Sequence, residues 1–203
     1  MGTSSRSSSE LRLTGIARIG DTMAPMDTTT DRDFEPFLAD VRAAPRDAGR
    51  LELIARRPDV DQRELVDVVE LDTTLGVVGD SWFVRGSSSS RNPESQVTLI
   101  STRVLRAIEQ DMDRWPLAGD QLYVDFDLSM EALPPGSRLA IGSALLEVSE
   151  QPHTGCAKFS ARFGSDALRW INSPVGRELR MRGMNARVVR GGTVRAGDAV
   201  RRV

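Results

Sequence analysis

Cysteine, histidine and lysine each occur once in this chain of 203 residues, as Cys156, His153 and Lys158. A single cysteine excludes an internal disulfide framework and points to a reducing compartment, so a cytoplasmic location is expected. One histidine and one cysteine fall short of the three or four protein ligands that zinc takes, and no Asp or Glu stands at ligand spacing to complete a set. No zinc is expected. Aromatic residues make up only 5% of the chain and are not interleaved with the basic ones, so nucleic acid is not an expected partner. No apolar run approaches the ~20 residues that a membrane helix needs. The stretch Met1 to Glu10 is Ser-rich and lacks the apolar core of a signal peptide, so no membrane association is expected.

The three rare side chains fall within six positions of one another, in Glu150-Gln151-Pro152-His153-Thr154-Gly155-Cys156-Ala157-Lys158. A thiol becomes a nucleophile or metal ligand as its thiolate, which nearby cations favour. Lys158 and Arg162 are placed to supply that charge, and His153 to tune the thiol. The plain alternative is a small buried hydrophobe. Net charge is −2, but from Lys158 onward there are 11 Lys/Arg against 3 Asp/Glu, a local +8 that leaves the first 157 residues at −10. Such a split suits a C-terminal part that lines a site for something anionic, or a mixed surface whose halves neutralise each other.

Residues 1–30 are rich in Ser, Thr and Asp and are expected to form a disordered leader, with Met23 and Met26 as alternative starts. Residues 31–203 are read as one domain. Asp33 to Ala43 has Phe34, Phe37, Leu38 and Val41 at helical spacing. Strands are predicted at Leu51 to Ala55, Leu65 to Leu71, Gln96 to Ser101, Leu122 to Leu128 (half-buried, with Tyr123 outward), Arg138 to Ile141 and Ala144 to Val148. Closing strands are predicted over 185–190, at Val194 and over 199–203. Helices are predicted over 103–112, capped by Thr102 and burying Met112, and over 166–172 and 174–181. The stretch from Glu150 to Gly164 is read as a loop. Four serines between Arg85 and Arg91 form either a flexible linker or a polar loop able to hold an oxyanion. Many short strands with frequent turn signals indicate a mostly β fold, a β-barrel with short peripheral helices.

Several motifs arrive in a recognisable order: Leu51-Glu52-Leu53-Ile54 and Arg56-Arg57-Pro58, Gly79-Asp80, Gln96 to Ile100, and Ala118-Gly119-Asp120-Gln121-Leu122. Then follow Arg138 to Val148, Cys156-Ala157-Lys158, and Gly183 to Asp198. In this joint order, over residues 50–203, the chain resembles the MOSC domain family, named after the C-terminal part of molybdenum cofactor sulfurases. It departs at Gly155, where the family commonly has proline, and at Asp120-Gln121, where it often has Glu-Asn. The resemblance implies a MOSC-type β-barrel whose Cys156 either ligates molybdenum of a bound molybdopterin or carries a sulfane sulfur. Arg162, Arg180, Arg182 and Arg187, with Arg85, Arg91 and Asp120, are the residues expected to bind the cofactor. Cys156, Lys158 and His153 are expected to carry the chemistry.

A full sulfurase makes its persulfide on a pyridoxal-phosphate domain with a Schiff-base lysine. With one lysine and no length for that domain, no pyridoxal phosphate is expected here. Three functions remain open. The favoured one is a molybdenum-cofactor protein that reduces N-hydroxylated or similar small substrates with an external electron-donor protein. The second is a carrier of sulfur, held as a persulfide on Cys156 and received from a sulfur-donor protein. The third is a non-catalytic barrel that binds a partner.

Overall fold

Runs rich in Val, Leu and Ile supply strands that bury one face or both, and in the computed structural model those strands close on themselves. The structure describes residues 32–84 and 92–203 and the backbone of 18–19. The expected leader, apart from Arg18–Ile19, and the serine loop with Arg85 and Arg91 lie outside the described residues. The strands are β1 (Arg18–Ile19), β2 (Ala48–Arg56), β3 (Arg63–Leu65), β4 (Val68–Asp72), β5 (Gly76–Val77), β6 (Val97–Ser101), β7 (Leu122–Asp125), β8 (Arg138–Ile141), β9 (Ala144–Val148), β10 (Met184–Arg190), β11 (Gly192–Arg195) and β12 (Ala199–Arg202). Five short helices accompany them: α1 (Leu38–Arg42), α2 (Thr102–Ile108), α3 (Ala157–Phe163), α4 (Ser165–Ile171) and α5 (Pro174–Glu178).

The order β2-β12-β8-β9-β10-β6-β7 returns to its start because β7 pairs with β2, giving a seven-strand barrel. Closure removes the open sheet edges that would otherwise template aggregation. Within the barrel only β6 and β7 run parallel. A parallel pair needs a crossover, and α2 with the 3-10 helix Met112–Ala118 provides it. β3 and then β1 extend outward from β2, and β11-β4-β5 form a separate small sheet. Among the described residues no helix is long and apolar enough to cross a membrane.

Two apolar clusters hold the fold. Leu51, Leu99, Leu122, Val124, Leu146 and Ala186 belong to the barrel interior. Ile100, Leu105, Trp115, Tyr123, Phe159 and Phe163 belong to a second cluster, where the helices pack on the barrel's outside. Each fully buried Leu or Phe of this kind contributes about 1.5–3 kcal/mol. Tyr123 was expected to face out; it is fully buried, because the crossover covers the outer face of β7.

Other departures are local. The strand expected over 65–71 is broken into β3 and β4. α2 stops at Ile108, and Met112 is 54% exposed. The chain turns there because Asp111 caps the next 3-10 helix through the Asp113 N–H, while Trp115 Nε1 donates to the Glu109 carbonyl at 3.0 Å. Ser101, not Thr102, is the N-cap of α2, without a side-chain cap. The expected helix over 33–43 is a 3-10 turn followed by α1, and it leaves Phe37 exposed. Helix α3 falls where a loop was expected. Its Phe159, Arg162 and Phe163 are buried at i, i+3 and i+4, and Gly164 ends it.

Candidate functional site

The site is built on the end of the 3-10 helix Met112–Ala118, which Gly119 terminates in the left-handed conformation, φ 89°. The last carbonyls of a helical segment have no partner within it and attract cations. Four successive carbonyls each take an N–H from a different arginine. Arg63 Nε reaches Pro116 O at 3.2 Å, and Arg162 Nη1 reaches Leu117 O at 3.0 Å. Arg182 Nη2 reaches Ala118 O and Arg57 Nη1 reaches Gly119 O, both at 2.9 Å. Acids hold this collar in turn. Asp80 bonds Arg57 at 2.9 Å and the fully buried Asp120 bonds Arg182 at 2.7 Å. Asp61 bonds Arg162 at 3.4 Å and Lys158 at 3.3 Å.

Cys156 sits at the N-cap position of α3 and is exposed. Its thiol pKa is lowered, chiefly by the Phe159 backbone N–H. Burial opposes this; the Lys158 N–H and the charges of Arg182 and Arg162 add to it. The thiol makes no capping hydrogen bond of normal geometry. The amides therefore act on it as dipoles, an electrostatic effect that favours the thiolate.

The approach to Cys156 is fixed by two asparagines. Asn185 Nδ2 donates to the carbonyls of Gln151 and Pro152 at 3.0 and 3.3 Å. Asn172 Oδ1 accepts the Gly155 N–H at 3.1 Å. That bond accounts for the glycine: proline has no N–H to give. A Cβ at 155 would also stand 2.6 Å from Leu168 Cδ1.

His153 places Nδ1 3.5 Å from Asp120 Oδ1, and neither atom has a hydrogen bond of normal geometry. Burial, first, pushes the imidazole pKa down to about 4; the Asp120 charge opposes this, and Arg182 and Arg57 reinforce it. His153 is therefore neutral at physiological pH, with its Nδ1 side turned to a carboxylate.

Beside this group lies a cavity of about 570 Å³, lined by the 149–154 loop, the end of α4, α5 and the turn into β10. His153, Arg180 and Arg182 line it; Cys156, Lys158 and Arg162 flank it on α3 and the preceding residue without lining it. Arg182 belongs to both, since its guanidinium lies 5.2 Å from the Phe159 ring centre of α3 and its charge acts on the thiol. Asp120 stands behind His153. Arg187 is on the barrel wall, paired with Glu147 of the neighbouring strand, and is not part of the cavity. Among the described residues, no group of three or more His, Cys, Asp or Glu side chains is gathered for a metal.

Sequence reasoning missed Arg57, Arg63, Asp61, Ser149, Asn172 and Asn185. Arg57 and Asn185 carried a signal, as parts of the quoted Arg56-Arg57-Pro58 and Gly183 to Asp198 motifs.

Comparison with curated proteins returns no match. The fold matches solved structures. The YuaD protein from Bacillus subtilis superposes with a TM-score of 0.56 at 19% identity, over 75% of this chain and 94% of that one. YiiM from Escherichia coli gives 0.51 at 20% identity, over 76% of this chain and 69% of that one. YiiM from Geobacillus stearothermophilus gives 0.50 at 16% identity, over 76% and 73%. At these identities the likeness speaks to the fold. The MOSC domain model matches residues 86–201, more than half of the chain and including the whole Cys156 region. The chain belongs to the MOSC domain family.

Proposed function

We propose that this MOSC protein binds a molybdenum cofactor, with Cys156 as the protein's thiolate at the metal, and supports reduction of N-hydroxylated or similar small compounds. The observation that carries this reading is the exposed thiol whose pKa is lowered by the first turn of α3 and by two buried arginines. A soft thiolate suits a thiophilic metal. Because the described residues gather no three-ligand set, the remaining metal ligands would come from the cofactor itself. Arg162 and Arg182, held rigid on the 116–119 carbonyls, would face the cofactor's phosphate charge, with Lys158 beside them.

A bound molybdenum cofactor would supply the oxygen-atom removal, with electrons from a donor protein. The chain's own part is to favour the thiolate of Cys156, to hold the cofactor's charge, and to present His153 as a neutral imidazole backed by Asp120 at the cavity wall. The test is thiol accessibility. In protein from a host that makes the cofactor, Cys156 should resist iodoacetamide until the cofactor is stripped. Equal labelling before and after would count against ligation.

One observation favours a second reading, a sulfur carrier: the thiol is exposed and stands outside the cavity lining, open to a donor or acceptor protein. An intact mass heavier by one sulfur atom, lost on mild reduction, would support a persulfide on Cys156.

A further inference from the structure

One partly buried cation of the cavity wall has no carboxylate partner among the described residues. Arg180 lies between α5 and β10, is half-buried, and has a left-handed backbone with φ 47°. Non-glycine residues held in that region cost about 1–3 kcal/mol and collect at ligand clamps. Arg180 Nη1 donates to Leu133 O at 2.6 Å and, more weakly, to Leu128 O at 3.4 Å, which fixes the guanidinium in place. Burial lowers its pKa and no carboxylate acts to raise it. Among the described residues it has no ion-pair partner, whereas its neighbour Arg182 has Asp120. A desolvated cation without a counter-charge is costly unless something else supplies one.

Two further residues of the cavity wall are nine-tenths buried and carry a polar atom with no hydrogen-bond partner among the described residues: the Ser149 hydroxyl and Arg182 Nε. Both can donate, so both ask for an acceptor. Glu150, Arg177 and Glu178 also line the cavity, but they are exposed at its rim, where solvent screens them. The remaining wall includes Met130, Pro135, Ile171 and Met184, which is apolar. A volume of about 570 Å³ suits a small organic molecule.

We infer that this cavity receives a small organic carboxylate with an apolar body, its acid group on Arg180 and Ser149 and its body against Met130, Ile171 and Met184. A single uncompensated guanidinium matches a monoanion, and its planar fork matches a carboxylate. Taking this molecule to be the substrate rests on the function proposed above. The cofactor's phosphate is a poorer occupant. A cofactor must reach Cys156, which does not line the cavity, and Arg180 is not among the charges that act on the thiol.

The probe is benzoate, with benzamide as its neutral isostere. The readout is the imidazole resonances of His153, the chain's only histidine and a residue of the cavity wall. Benzoate should shift them saturably at neutral pH. Benzamide should bind at least about tenfold more weakly, as expected for loss of a charge-assisted contact. Arg180→Gln should weaken benzoate by a similar factor and leave benzamide unchanged. Ser149→Ala, which does not touch the Arg180 backbone latch, should weaken benzoate by a few-fold and serves if the first variant misfolds. Equal binding of benzoate and benzamide would overturn the inference, as would undiminished benzoate binding in both variants. Molybdenum content separates the two proposals. Retained molybdenum in Arg180→Gln agrees with a substrate site, and its loss together with benzoate binding would reassign Arg180 to the cofactor. Benzoate binding by wild-type protein that never acquires molybdenum would sink the cofactor reading alone.

Discussion

Replacing His153 by glutamine should flatten the protein's pH–stability profile between about pH 4 and pH 6.5. In the unfolded chain the imidazole titrates near its ordinary 6.5, and in the folded protein near 4. Across that window the unfolded state binds one more proton than the native state, so stability rises with pH and is lost as pH falls. The histidine's contribution is fully present above the unfolded value and gone below the folded one. A gap of this size corresponds to about 3 kcal/mol, at about 1.4 kcal/mol per unit. That is a sizeable share of the 5–15 kcal/mol that typically holds a domain together. The His153 side chain is only 18% exposed, so solvent screening removes little of it. Asp61 and Asp72 have pKa values lowered from 3.8, so their losses fall mostly beneath the window, and Glu147, lowered from 4.5, contributes only at its lower edge and equally in both proteins. Urea unfolding at half-unit steps of pH measures the slope for wild type and His153→Gln, and imidazole NMR follows the one histidine directly. A native imidazole titrating near 6.5, or an equal slope in the variant, would refute the reasoning.

Three other outcomes follow from the same geometry. Arg182→Met strands the fully buried Asp120 carboxylate and should cost about 3–5 kcal/mol in urea unfolding, with part recovered when Asp120→Asn is added; no recovery would mean the pair is not the source of the loss. The pH dependence of Cys156 alkylation should show a midpoint below the ordinary thiol value of 9.0. It should rise only slightly in ~1 M salt, because the leading cause is a backbone N–H rather than a screened charge. A midpoint at or above the ordinary value contradicts it. Gly155→Ala should lower stability by about 1–3 kcal/mol, since its Cβ would press on Leu168 and Ile171. Gly155→Pro should cost more, through the lost bond to Asn172, and thermal unfolding orders the two.

The barrel was legible because its strands are written in short-range alternation: Leu51 to Ala55, Gln96 to Ser101, Arg138 to Val148 and 185–190 all lie in observed strands or beside their ends. Tyr123 was misplaced because alternation records which face is polar and not what packs on it. Helix α3 escaped notice because seven residues are too few for periodicity to stand out, though Phe159 and Phe163 mark its buried side. Within the site, the pooling of His153, Cys156 and Lys158 was visible as composition. Arg162 and Arg182 were named as site residues, but the collar they form with Arg57 and Arg63 was not visible, because the four arginines share only a run of carbonyls contributed by a distant segment. For the same reason Arg187 looked equivalent to Arg182. The register of β10 against β9 sends it to Glu147 on the outer wall, whereas Arg182 precedes the strand and turns to Asp120. No sequence pattern reports that Arg180 has no ion-pair partner among the described residues, since a counter-ion is a property of the folded surroundings.

Metal analysis of protein expressed in a molybdenum-cofactor-competent host, wild type beside Cys156→Ser, tests the central claim most directly. The account predicts near-stoichiometric molybdenum in the wild type and little or none in the variant, with both folded. Molybdenum absent from both, or retained equally by both, would contradict ligation by Cys156.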